Sequence, residues 1–217
     1  MTDLKNAFVF GDVHGSYTQL ELLIAKARGR VPGVSLFSVG DLIDRGPSSK
    51  DVLEVCVREG VTGILGNHEL WFHQAATTGV FPKYALQGIM GGVATLRSYG
   101  IDPIGLSEGE IGRLLGEAVP QSHRDFVLGL PVHRKITVGG QVYRLIHAGL
   151  KNYGNFGDLA DQGVSEDLLL DEVTRVNPDV LLWAPASGIK GVEGAANLQR
   201  FRDGSVQLGE GELYVVP

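Results

Sequence analysis

The first third of the chain repeats one pattern of apolar and polar positions three times. Residues 7–10, 35–39 and 61–65 form apolar runs of strand length, and each closes on a glycine, Gly11, Gly40 or Gly66. A polar loop follows every run, and a stretch with helical spacing follows every loop. Leu20, Leu23, Ile24 and Ala27 predict a helix over 16–28, with Ser16 placed to cap it. Helices are likewise predicted over about 48–59 and, after Asn67-His68-Glu69, to about residue 77. Strand, loop and helix in repetition predict βαβ units and a sheet that is at least partly parallel. Each polar loop then lies at the carboxyl end of a strand, where open α/β sheets hold their ligands.

Residues 81–130 read as helices broken by Gly and Pro, an insertion that covers one edge of those loops, and Ser107 and Glu110 have the spacing of a capping box. Residues 132–138 and 141–146 predict a hairpin about Gly139-Gly140, followed by His147-Ala148-Gly149. A helix near 165–176, a strand over 179–183 and short strands within 199–216 complete the pattern. No linker or repeat divides the chain, so one domain over 1–217 is expected.

Composition narrows the function classes. Hydrophobic residues make up 43% and charged residues 20% of the 217, as in ordinary globular proteins. A formal net charge of -6 argues against broad contact with nucleic acid or an anionic membrane. Cys56 is the one cysteine and falls on an apolar helical stripe, so a buried thiol and a reducing, cytoplasmic setting are expected. The first ten residues carry no signal-peptide pattern, and no apolar run approaches the ~20 residues that span a bilayer.

The four glycine-bounded loops carry the chemistry. They offer Asp12 and His14, then Asp41, Asp44 and Arg45, then Asn67 and His68, then His147, expected at one edge of one sheet. Alone, each is as well explained by a turn, a helix start or an ion pair. Together, carboxylates, imidazoles and an amide oxygen suit Mn, Fe or Zn. Two such metals sharing a carboxylate could activate a water and stabilise an in-line phosphoryl displacement. A remaining His could act as general acid, and an Arg could grip phosphate.

Gly11-Asp12-Val13-His14-Gly15, Gly40-Asp41-Leu42-Ile43-Asp44-Arg45-Gly46, Gly66-Asn67-His68-Glu69 and His147-Ala148-Gly149 occur in order. This series resembles the signatures of the phosphoprotein phosphatase family of calcineurin-like metallophosphoesterases. It is most similar to the small bacterial and phage-type protein serine/threonine phosphatases. The resemblance implies an α/β/β/α sandwich of two mixed sheets with helices outside. It implies that Asp12 and His14 bind one metal, that Asp41 bridges, and that Asn67 and His147 bind the second. His68 would be the general acid, oriented by Asp44, and Arg45 would bind phosphate. The cofactors implied are two divalent ions, Mn first, with Fe or Zn as alternatives. The substrate implied is a phosphorylated protein or a small phosphoester.

Three departures from that family bear on substrate. Leu65 stands where the protein phosphatases carry an arginine. Ala184-Pro185 follows Leu181-Leu182-Trp183 where they carry another. No histidine follows His147, so the family's late metal ligand is absent, and the second metal site is expected to be the weaker one. Asp158, Asp161, Glu193 or water would have to substitute. Leu65-Gly66-Asn67-His68 is instead similar to the relatives that split symmetrical dinucleoside tetraphosphates, which commonly lack an acid at the place of Asp44. Three readings are open: a phosphomonoesterase of the protein-phosphatase type, a dinucleoside tetraphosphatase, and a weakly active binding module. Trp71 is expected to pack beneath its loop, and Glu69 to favour the helix start through the helix dipole. His73, His123 and His133 are expected to be structural or solvated.

Overall fold

The segment Ala7–Phe10 is buried on both sides, and its two sides serve different cores. A computed structural model describes residues 3–147, 182–183 and 213–216. The elements in chain order are β1 (Asp3–Leu4), β2 (Ala7–Phe10), α1 (Tyr17–Arg30), β3 (Ser35–Ser38), α2 (Ser49–Arg58), β4 (Thr62–Gly63) and α3 (Glu69–Thr78). A short 3-10 turn (Lys83–Leu86) leads to α4 (Gly92–Ser98), α5 (Glu108–Ala118) and α6 (Gln121–Leu128). Then come β5 (His133–Val138), β6 (Gln141–Ile146), β7 (Leu182–Trp183) and β8 (Leu213–Val216).

Two four-stranded sheets result, ordered β4-β3-β2-β8 and β1-β5-β6-β7. All described pairs of the first are parallel, as the βαβ pattern requires, with Ala7 opposite Ser35 and Leu213. The second is mixed: β1 runs parallel to β5, and β5, β6 and β7 pair antiparallel. The sequence led us to expect two mixed sheets; the described part of the first has no antiparallel neighbour. Alternation along β2 then sorts its side chains. Ala7 and Val9 join Phe37, Val39, Ile64, Ile136, Val138 and Leu145 between the sheets. Phe8 and Phe10 join the larger cluster under the helices, with Leu20, Ile24, Val52, Trp71, Phe72 and Phe81.

The helices follow the predicted stripes. Leu20, Ile24 and Ala27 of α1 are buried and Leu23 packs at the edge. Ser16 precedes α1, but its side chain accepts no capping bond. Cys56 is fully buried in α2, and desolvation pushes its thiol pKa far up. The Ser107–Glu110 capping box forms in full. Gly139 and Gly140, at φ 56° and 80°, close the predicted hairpin. Strand β1, two residues long, was not expected. Helices α4 to α6 form the insertion, and no helix among the described residues is long and apolar enough to cross a membrane. The helix predicted near 165–176, Asp158, Asp161, Ala184-Pro185 and Glu193 lie outside the described residues.

This division of labour can be measured. Phe8→Ala should cost about 3–5 kcal/mol, as for a large aromatic lost from a core, whereas Ser107→Ala should cost about 1 kcal/mol, as for a lost N-cap. Urea denaturation of both variants reads the difference. Equal losses would mean that β2 is not the centre of packing.

Candidate metal centre

The loops after β2, β3 and β4 meet above the parallel sheet. The first two are joined backbone to backbone: His14 N–H donates to Asp41 O at 2.9 Å, Gly15 N–H to Leu42 O at 2.9 Å, and Gly46 N–H to His14 O at 3.0 Å. No side chain fits at that seam: a Cβ on Gly15 would sit 2.6 Å from Gly46 O. Among the described residues, the non-glycine positions with positive φ are Asp12, His14, Asp41, Asp44 and Arg45. All five are residues that the sequence singled out. Left-handed backbone costs roughly 1–3 kcal/mol per non-glycine residue and persists where function or packing enforces it.

His147 arrives differently. It follows β6 of the mixed sheet, so the expectation of four loops on one sheet is corrected: three come from the parallel sheet and one from its neighbour. The donors converge on Asp41, which is 5% exposed. Asp41 Oδ1 lies 3.3 Å from His147 Nε2, and Oδ2 lies 3.7 Å from His14 Nε2 and 3.9 Å from His68 Nε2. His147 Nε2 also donates to Asn67 Oδ1 at 2.9 Å, and Nδ1 donates to Val39 O at 2.7 Å. With both nitrogens facing oxygen, the ring favours its charged form. Burial opposes this, but the Asp41 carboxylate prevails and the pKa is pushed up to about 9. Burial would also raise the Asp41 carboxyl, yet His147 holds it below the usual range. Asp12 opens to solvent, and partial burial together with Asp41 raises its pKa.

Donor atoms of Asp12, Asp41 and His147 lie within 4.8 Å of one another, as do those of His14, Asp41 and His68. Asp41 belongs to both groups, as a bridging carboxylate must. Asp12 shares one group with His147, and the charge of His14 also acts on its carboxyl. His14 is presented as a ligand would be: Nδ1–H donates to Ile43 O at 3.0 Å, which leaves the Nε2 lone pair facing outward. Arg45, exposed, donates Nη1–H to that lone pair at 2.8 Å. Oxygen and imidazole donors around a shared carboxylate, with a lone pair already drawing a cationic group, fit divalent cations.

Beside the donors lies a fully buried polar pair. His68 Nδ1–H donates to Asp44 Oδ2 at 2.9 Å, with the two side chains 1% and 0% exposed. Trp71 Nε1–H donates to the same oxygen at 2.9 Å, and Thr95 Oγ1–H to Asp44 Oδ1 at 2.7 Å. Trp71 therefore packs beneath the loop as expected and also carries a polar bond. Thr95, from α4, was missed because it lies far away in the chain.

Glu69 stands in the first turn of α3, as expected, and does more than that. It is fully buried, and its carboxylate accepts four backbone N–H bonds. Oε2 takes Asp41 N at 2.8 Å and Gly66 N at 3.0 Å; Oε1 takes Leu42 N at 2.7 Å and Ile43 N at 3.2 Å. Burial, then the neighbouring Asp41, push its pKa up to about 7 against the pull of those donors. The signal was present in the sequence, since Glu69 shares the buried stripe of α3 with Phe72 and Ala75. Leu65 is buried, its N–H bonded to Pro131 O at 2.8 Å. Among the other histidines, His123 is buried between Tyr99 Oη at 2.8 Å and Glu54 Oε2 at 2.9 Å, a structural role as expected.

The chain is similar to several known proteins. A stretch of 75 residues is 39% identical to serine/threonine-protein phosphatase 2 of Escherichia coli, covering 35% of this chain and 34% of that protein. A stretch of 145 residues is 30% identical to the symmetrical bis(5'-nucleosyl)-tetraphosphatase of Neisseria gonorrhoeae, covering 66% of this chain and 43% of that one. A stretch of 88 residues is 35% identical to the zinc-dependent endopolyphosphatase of Saccharomyces cerevisiae, covering 39% and 27%. The matches thus span less than half the length of these relatives. A solved metallophosphoesterase from Sphaerobacter thermophilus overlaps at a TM-score of 0.41 with 16% identity, covering 87% of this chain and 71% of that one. The sequence model of the calcineurin-like phosphoesterase family matches residues 6–204, nearly the whole chain, and the chain belongs to that family of metal-dependent phosphoester hydrolases.

Proposed function

We propose that the chain is a phosphomonoesterase that releases phosphate from phosphoserine or phosphothreonine, in one catalytic domain. The observation that carries this reading is the buried His68–Asp44 pair. A serine or threonine alkoxide leaves poorly unless it receives a proton, whereas a nucleotide is a good leaving group and gains little from an acid. A positioned proton donor is worth roughly a hundred- to ten-thousand-fold in rate. Building and burying one suits the harder leaving group.

The roles follow from chemistry. Asp12, His14, Asp41, Asn67 and His147 would hold the cations. Bound there, two divalent ions supply Lewis-acid stabilisation of phosphoryl oxygens and lower the pKa of water. Asp44 fixes the tautomer of His68, so Nε2 is the atom that hands the proton to the leaving oxygen. Arg45 and a cation compete for the same lone pair on His14. With His14 given over to a cation, the Arg45 guanidinium would be free to hold two phosphate oxygens.

One observation favours a second reading, hydrolysis of symmetrical dinucleoside tetraphosphates. Leu65 is buried and apolar where the protein phosphatases carry an arginine, and a stretch of 145 residues matches a tetraphosphatase.

Purified protein should lose turnover on chelation and regain it with Mn²⁺, and Asp41→Asn should regain nothing. Side-by-side assays on phosphopeptides and on a dinucleoside tetraphosphate decide the substrate. Preference for the dinucleotide would replace the first reading by the second. His68→Asn should lower kcat on a phosphopeptide by roughly a hundred- to ten-thousand-fold, and lower it far less on an aryl phosphate, whose leaving group needs no proton. Equal losses on both would remove His68 as the proton donor.

A further inference from the structure

We infer that Glu69 is a positioning residue that sets metal affinity by latching together the two loops whose donors come from different strands. The inference rests on the reading of the Asp41 cluster as a metal centre. The loops after β3 and β4 are separated in the chain by α2 and meet at the site, where Gly40 and Gly66 touch. Glu69 joins them through one carboxylate: Asp41, Leu42 and Ile43 N–H belong to the first loop and Gly66 N–H to the second. Asp41 Oδ1 also accepts His68 N–H at 3.1 Å, so the two loops lock in both directions. The fit is tight. A Cβ on Gly66 would collide with Asp41 N and Oδ1 and would sit 2.6 Å from Glu69 Oε2.

Seating a carboxylate against Asp41 is costly. Two buried acids repel, and the nearby His147 offsets burial and that repulsion only in part, since the Glu69 pKa still rises. What the carboxylate contributes is geometry. Four N–H donors aimed at two oxygens hold Asp41 at φ 54°, a conformation an isolated loop would leave. Glutamine cannot replace it: one oxygen could serve one pair of N–H groups, and the amide NH₂ would face the other pair. Groups that orient metal ligands in this way typically change affinity ten- to hundred-fold when mutated.

The test is Mn²⁺ titration by calorimetry on the full chain. Glu69→Gln should bind Mn²⁺ ten- to hundred-fold more weakly than the wild type, and Glu69→Ala more weakly still. At saturating Mn²⁺ the Glu69→Gln kcat should return toward the wild-type value, because His68 and Asp44 are untouched. Ser107→Ala, which lowers stability far from the site, should leave Mn²⁺ affinity unchanged. Unchanged affinity in Glu69→Gln overturns the inference, and so does an equal loss in Ser107→Ala. A wild type that binds no Mn²⁺ overturns both the metal reading and the latch, whereas a wild type that binds and a variant that binds equally well overturns the latch alone. Should both variants fail to fold, amide exchange of the metal-free wild type decides. Slow exchange at residues 41, 42, 43 and 66 supports the latch, and fast exchange there overturns it.

Discussion

The seam between the loops after β2 and β3 is the constraint on which the site depends. Three backbone hydrogen bonds tie residues 14–15 and 46 to residues 41–42 and 14. They hold five non-glycine residues in left-handed backbone, a strained set that only a dense surrounding can enforce. Glycines stand where the two chains touch, because a side chain at Gly15 or Gly46 would strike the opposite backbone. The seam turns Asp12, His14 and Asp41 toward one point, which neither loop could do alone.

Around that point the polar groups are arranged in tiers. Carbonyls of Ile43 and Val39 orient His14 and His147, and Asp44 orients His68. Asp44 is itself held by Trp71 from α3 and Thr95 from α4. The helical insertion is therefore part of the site's support rather than a cover only. Ser49 adds to this from α2, bonding Asp44 N at 3.1 Å and Thr95 Oγ1 at 2.9 Å. Asp44 thus gathers α2, α3 and α4 onto one buried residue, α3 and α4 through its carboxylate and α2 through its backbone N–H.

Much of this was legible in the sequence, for physical reasons. The stripes of α1 and α2 and the glycine-ended strands are local patterns, and they fixed the parallel sheet. The donors were legible because each sits in a short loop between such elements. What escaped depends on distance through space. Thr95 carries no local mark of its bond to Asp44. Glu69 looked like an ordinary helix-start acid, although it occupies the buried stripe of its own helix. The arrival of His147 from the second sheet beside Asp12 and Asp41 follows from the joining of two sheets, which no local pattern reveals. Strand β1 is too short to leave a pattern.

The strand that carries the first loop, β2, lies between β3 and β8, with Ala7 opposite Leu213 and Phe10 opposite Val216. Its two neighbours therefore come from opposite regions of the chain. Pairings at such separation are reached late, because the entropy of closing so large a loop is lost before any contact compensates. During synthesis the β2–β3–β4 units and their helices can assemble first, leaving one side of β2 with unpaired N–H and C=O groups until β8 arrives. An open strand edge of apolar residues is a known hazard for mispairing between chains. The arrangement that places the strand leading to Asp12 and His14 in the interior of the sheet thus makes the full pairing of that strand one of the later events of folding.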